Sequence, residues 1–219
     1  MSRESKKKIS ILGRILGLLI FILIVLVVVI ILKKTVFKKS DKPVQKKSEK
    51  VESIDNFDYN LYDNSTELYK KLYYELKDCL NEKEVDEEEY AKLVAELFVA
   101  DFYSLDSKLT NQDVGGLDFV YSSIKDNFKL NAVDTIYKYV KSNVYGDRKQ
   151  DLPEVSEIVS ATVTKTSYKY NKGDINILDP SAYIVNVKWN YKKSSSYQTS
   201  AKITLVHEKE DLLSIIKVQ

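Results

Sequence analysis

Apolar and polar positions alternate in three distinct ways along the chain. From Ile15 to Leu32 there is no alternation at all: 18 residues run without a charge, almost wholly Ile, Leu and Val. About 20 apolar residues cross a hydrocarbon core of roughly 30 Å. Arg14 can snorkel, which extends the stretch back through Leu12, Ile11 and Ile9. The run ends "VVVIILKK" and lacks the small residues of a cleavage site. The pattern therefore predicts an uncleaved transmembrane helix over 15–32, behind a basic segment at 1–14. Residues 33–60 are polar, lysine-rich and interrupted by Pro43, with no apolar period, so they read as a solvated linker.

From Ser65 the period becomes helical. Leu68, Leu72, Leu76, Cys79 and Leu80 share one face, with Ser65 or Thr66 placed to cap the start. Tyr90, Leu93, Val94, Leu97, Phe98 and Phe102 form a second stripe, and Glu87, Glu88 and Glu89 suit its first turn. Two more helical pieces are predicted, through Leu117–Phe128 and Val133–Val140, after a turn at "NQDVGG". Beyond Pro153 the period falls to two. "EIVSATVTKTSYKY", "SAYIVNVKWNYKK", "SSSYQTSAKITLVHEKE" and "DLLSIIKVQ" read as four strands, with "NKGD" and "LDPS" as turns. Tyr183, Val185, Val187, Trp189 and Tyr191 face one way and Asn186, Lys188 and Asn190 the other, as in an antiparallel sheet with one wet face. The expected fold class is α+β: one domain at 61–219, its helices (65–142) packed on a curved antiparallel sheet of about four strands (155–218).

Charge divides the chain again. Residues 1–50 hold 13 Lys or Arg against 3 Asp or Glu, and the remainder holds 21 against 29. The basic part suits an anionic membrane surface. The acidic part argues against nucleic acid as a partner, because phosphate binding needs a basic face. Lysines follow the apolar run more densely than they precede it, which by the positive-inside rule points the domain to the cytoplasm. Long domains, however, translocate largely regardless of charge. A short basic N-terminus before an apolar run is also how export signals begin. The reading taken is a single-pass cell-membrane protein with its domain extracytoplasmic. Sixteen tyrosines, many lysines and few Gly or Pro suggest a bacterial host with A/T-rich codons.

The order of helices then strands is similar to the nuclear transport factor 2-like, or cystatin-like, cone fold. The stripe "YAKLVAELFVADFYSL", the turn "DVGG", the strand "VKWNY" and the terminal "LLSIIKV" carry the likeness. With a basic N-terminus and an apolar run ahead, the whole resembles the bitopic scaffold component of type IV secretion and conjugation systems. That resemblance implies a non-catalytic scaffold whose partners are other membrane-complex proteins, including copies of itself.

Candidate chemistry is sparse. One cysteine, Cys79, and one histidine, His207, allow neither an internal disulfide nor a Cys/His zinc cluster. No cofactor or metal motif is present: "GG" at Gly115–Gly116 follows no strand, and Asp86–Glu89 lacks calcium-loop spacing. Asp101 and His207 are the pair that could act as a general base in a cone; the expectation is that they do not, and that the protein is not an enzyme. Tyr168, Tyr170 and Tyr197, set among polar residues, are the candidate contact residues, since tyrosine gives large area at small entropy cost. Phe98, Phe102, Phe128 and Trp189 are the candidate cone lining. If they fill the interior, both alternative readings, a small-ligand or peptide-binding module and a cone-fold enzyme, lose their cavity.

Overall fold

The computed structural model describes residues 23, 25–27, 47–209 and 211–219. The chain divides into two compact units, Met1–Val44 and Gln45–Gln219. Within the first, Leu23 and Val25 to Val27 are helical. The transmembrane helix expected over 15–32 is corrected here. Among the described residues no helix is long and apolar enough to cross a membrane. The rest of that run, the segment 1–14 and the linker up to residue 46 lie outside the described residues.

The second unit is α+β, but it begins earlier than the polar pattern suggested. Residues at the end of the expected linker and the first two of the expected domain form a hairpin, β1 (Lys50–Ile54) and β2 (Tyr59–Tyr62). Asn56 and Asp58 turn it with φ of 70° and 56°, a region these two side chains tolerate. Ile54, Tyr59 and Leu61 are buried in the main core.

Helix α1 (Glu67–Leu80) starts where Thr66 accepts the N–H of Tyr69, and it buries Tyr69, Leu72, Tyr73 and Leu76. In α2 (Glu87–Phe102) the carboxylate of Asp86 accepts from the N–H groups of Glu88 and Glu89, and the three glutamates of the first turn complement the dipole. Eleven of its sixteen residues are buried, because α2 lies between α1 and the sheet and has almost no solvent face. The third helical stripe is broken into single 3-10 turns at Leu117–Phe119 and Ser122–Ile124, leading into α3 (Lys125–Asp134). The predicted fourth helix is absent. The Thr135 hydroxyl bonds back to the Asn131 carbonyl at 2.6 Å, which weakens the helix there. Tyr137 instead turns inward, fully buried, and donates to the Phe102 carbonyl at 2.6 Å.

The sheet is a meander, β3 (Val155–Lys172), β4 (Ile175–Tyr191), β5 (Ser200–Lys209) and β6 (Leu212–Val218), in that spatial order and antiparallel throughout. Gly173, with φ of 60°, opens the two-residue turn between β3 and β4. "LDPS" is not a turn. Strand β4 passes through it by a bulge, in which Pro180 and Ser181 lie opposite Ser167, a place where the missing N–H of proline is tolerated.

Tyr183, Val185, Val187 and Trp189 pack toward the helices as the alternation predicted. The other face is not uniformly wet, since Tyr121, Tyr170, Ala182 and Val206 form a second small core there.

Candidate functional site

The two edges of the sheet are treated differently. On the β6 side outward backbone groups of Leu213 and Ile215 are met. Tyr121 donates its N–H to the Ile215 carbonyl at 2.9 Å, and Val120 bridges Ile215 in parallel. The N–H of Leu213 donates to the Tyr90 hydroxyl at 3.2 Å, and the Tyr59 hydroxyl donates to the Leu213 carbonyl at 3.0 Å.

On the β3 side nothing comparable exists. Trp189 donates its N–H to Thr199 at 3.0 Å, so alternate residues of β4 from Tyr183 to Trp189 direct their backbone toward β5. Ser160, Thr162 and Thr164 therefore bond to β4, and Ala161, Val163 and Lys165 direct N–H and C=O away from the sheet. Among the described residues no strand and no side chain meets those groups. An edge left open in this way is a template for another strand.

A cleft of about 670 Å³ runs beside that edge. Leu68 and Leu72 of α1 form one wall, Ile158, Val159 and Ala161 of β3 the other, and Glu96 of α2 part of the lining. Val159 sits at a register shift in β3 and is 54 % exposed. Glu96 is only 6 % exposed, and among the described residues no hydrogen-bond or ion-pair partner reaches it. Burial raises its pKa to about 7, against the opposing pull of Lys92 and Lys71. Both of those ammonium groups are engaged elsewhere, Lys92 with Glu89 at 2.8 Å and Lys71 with Glu75 at 3.7 Å.

A second polar cluster surrounds the single histidine. The carboxylate of Asp179 accepts the backbone N–H of His207 at 2.7 Å, lies 3.0 Å from its ring Nδ1, and accepts the N–H of Ser181 at 2.9 Å. Burial pushes the Asp179 carboxyl up, but these donors outweigh it and hold the group below its ordinary value. The ring Nε2 is 3.9 Å from Glu87, whose other oxygen accepts from the Tyr183 hydroxyl at 2.6 Å. A cleft of about 240 Å³, with Phe57, Leu80 and Tyr90 in its walls, opens beside this cluster. The imidazole is bracketed by two carboxylates, and its outer nitrogen faces one of them instead of a nucleophile. That arrangement suits fastening the β4 bulge to β5 better than general-base chemistry.

Asp101, the carboxylate paired with His207 on paper, is elsewhere. It forms an ion pair with Lys108 and accepts the N–H of Gly116 at 2.6 Å. Gly116 has φ of 72°, and the turn expected at "DVGG" is built on it.

Phe98, Phe102 and Trp189 are buried, and Phe128 packs partly buried against them, with Phe98–Phe102 centroids 5.0 Å apart and Tyr103–Trp189 4.6 Å. None of these four lines the groove beside β3 or the cleft beside His207. Of the tyrosines, Tyr197 is exposed and lines a cleft beside Lys192 and Lys193. Tyr168 is partly buried, and Tyr170 is buried against Tyr121 in the second core. Glu96 escaped notice in the sequence, although a lone acid within "LVAELFVA" is a signal that can be read. Among the described residues no group of three or more His, Cys, Asp or Glu is arranged to hold a metal.

Comparison with family models, with curated proteins and with solved structures finds no match for this chain.

Proposed function

We propose that this protein is a non-catalytic interaction protein, held at a membrane by its apolar N-terminal run, that receives an extended segment of a partner protein on the open edge of β3. The observation that carries the reading is the contrast between the two edges. β6 is capped by two tyrosine hydroxyls and the Val120–Tyr121 backbone, whereas the outward backbone groups of Ala161, Val163 and Lys165 on β3 meet no strand among the described residues, and Ala161 also lines the groove. Main-chain pairing along such an edge supplies affinity, and the groove supplies selectivity. The proposed setting, which rests on the resemblance in element order, is a bacterial secretion or conjugation assembly. The interior packed by Phe98, Phe102 and Trp189 supports a binding role over a catalytic one.

Val163→Pro tests it. The N–H of Val163 takes no part in the β3–β4 ladder, so proline there removes the donor a partner would use without breaking a ladder bond. A photoreactive side chain at position 159 of the full chain, in cells, is expected to give a discrete protein adduct that disappears with Val163→Pro. An adduct that persists, or none in the parent, overturns the proposal. Membrane attachment is tested separately: the full chain should sediment with membranes, and recovery in the aqueous fraction overturns that part.

A further inference from the structure

The groove beside β3 contains one side chain that the folded protein leaves unprovided for. Glu96 is more than nine-tenths buried, has no hydrogen-bond or ion-pair partner among the described residues, and lines the cleft. The cleft wall as a whole carries four acids, Glu67, Glu75, Glu96 and Glu157, against two bases, Lys71 and Lys92. A strand added to β3 would lie about 4.8 Å away. Ile158 and Ala161 pair with Trp189 and Val187, whose side chains turn toward the helices. Residues of the added strand opposite those two therefore point under α1, toward Glu96.

We infer that the segment received on β3 carries a lysine or arginine whose side chain enters the groove and pairs with Glu96. This rests on the edge-docking reading above. Neighbouring positions on the same face of the segment are apolar, to match Leu68, Leu72 and Ile158. Neutral donors can satisfy the carboxyl in either form but leave the surplus of acid unanswered. A cation also answers the surplus of acid, and it converts Glu96 to its charged form by releasing a proton. Basic segments therefore bind more tightly as pH rises through about 7.

The test uses the full chain in detergent micelles, panned against a phage-displayed library of random peptides. Selected peptides are expected to share a Lys or Arg flanked at alternate positions by apolar residues. Glu96→Gln should weaken such a peptide roughly tenfold or more, as should replacing its basic residue by methionine, and the two changes together should cost little more than either. Affinity should rise between pH 6 and 8 for the parent and stay flat for Glu96→Gln. Selected peptides with no shared basic residue, or indifference to Glu96→Gln while Val163→Pro still abolishes binding, overturn this inference and leave edge docking standing. Binding untouched by Val163→Pro, or no peptide selected, overturns both.

Discussion

The hydroxyls of Tyr59 and Tyr90 lie 2.7 Å apart and together hold the backbone of Leu213, one accepting its N–H and the other donating to its carbonyl. Both rings are buried, so each hydroxyl has exchanged water for this closed circuit. Tyr59→Phe leaves the Leu213 carbonyl and the Tyr90 proton without partners. It should cost about 1–3 kcal/mol in urea denaturation, and amide exchange near Leu213 should quicken.

Glu96→Gln should stabilise the protein at alkaline pH. The folded pKa of Glu96 is raised to about 7 from 4.5. The folded state therefore binds more protons than the unfolded one across that window, and stability falls as pH rises through it. The variant should exceed the parent by about 1–3 kcal/mol at pH 8 and by almost nothing at pH 4. Denaturation at both values checks the sign.

Asp179→Ala should be among the more damaging single changes outside the apolar core. It removes the acceptor of two backbone N–H groups and of the His207 ring at once. We expect a loss of about 2–4 kcal/mol at neutral pH, with earlier proteolysis of the β3–β4 tip. Because its folded pKa is depressed, the contribution of Asp179 is complete above its ordinary value of 3.8 and vanishes as pH falls through the lower folded value. The gap between parent and variant should therefore close in acid.

Two glycines make a matched pair. At Gly116 φ is 72° and a Cβ would stand 2.6 Å from the Phe98 ring; at Gly173 φ is 60° and no atom lies within 4 Å. Gly173→Ala should cost about 1–2 kcal/mol, from the backbone alone. Gly116→Ala should cost clearly more, since Phe98 must also move. Thermal unfolding of the two variants compares them directly.

The strands were legible because burial on one face of β4 enforces strict alternation from Tyr183 to Trp189, and nothing in that stretch conflicts with it. The capped start of α2 was legible for a similar reason: Asp86 and three glutamates agree with the helix that follows. The β1–β2 hairpin was hidden by brevity. Four residues of β2 show two alternations, and the lysines upstream dominate any window that includes them. The predicted fourth helix failed at Tyr137, whose hydroxyl satisfies the Phe102 carbonyl 35 residues away, a tertiary demand invisible to local period. The same holds for the candidate groove. A missing strand partner is a property of topology, and only Glu96 left a mark in the sequence. Asp179 and His207 meet because a bulge redirects one strand, so no spacing could have paired them.

The hydrogen bond from Tyr59 to Leu213 spans 154 residues of sequence. It joins the first hairpin of the folded unit to its last strand. A pull on the polypeptide ahead of Lys47 therefore loads this clasp on β6, at the margin opposite β3, together with the hairpin's bonds to α1 and to Asp118. Tugging on the N-terminal lead would thus strain one flank of the meander, and the edge proposed to receive a partner lies on the other.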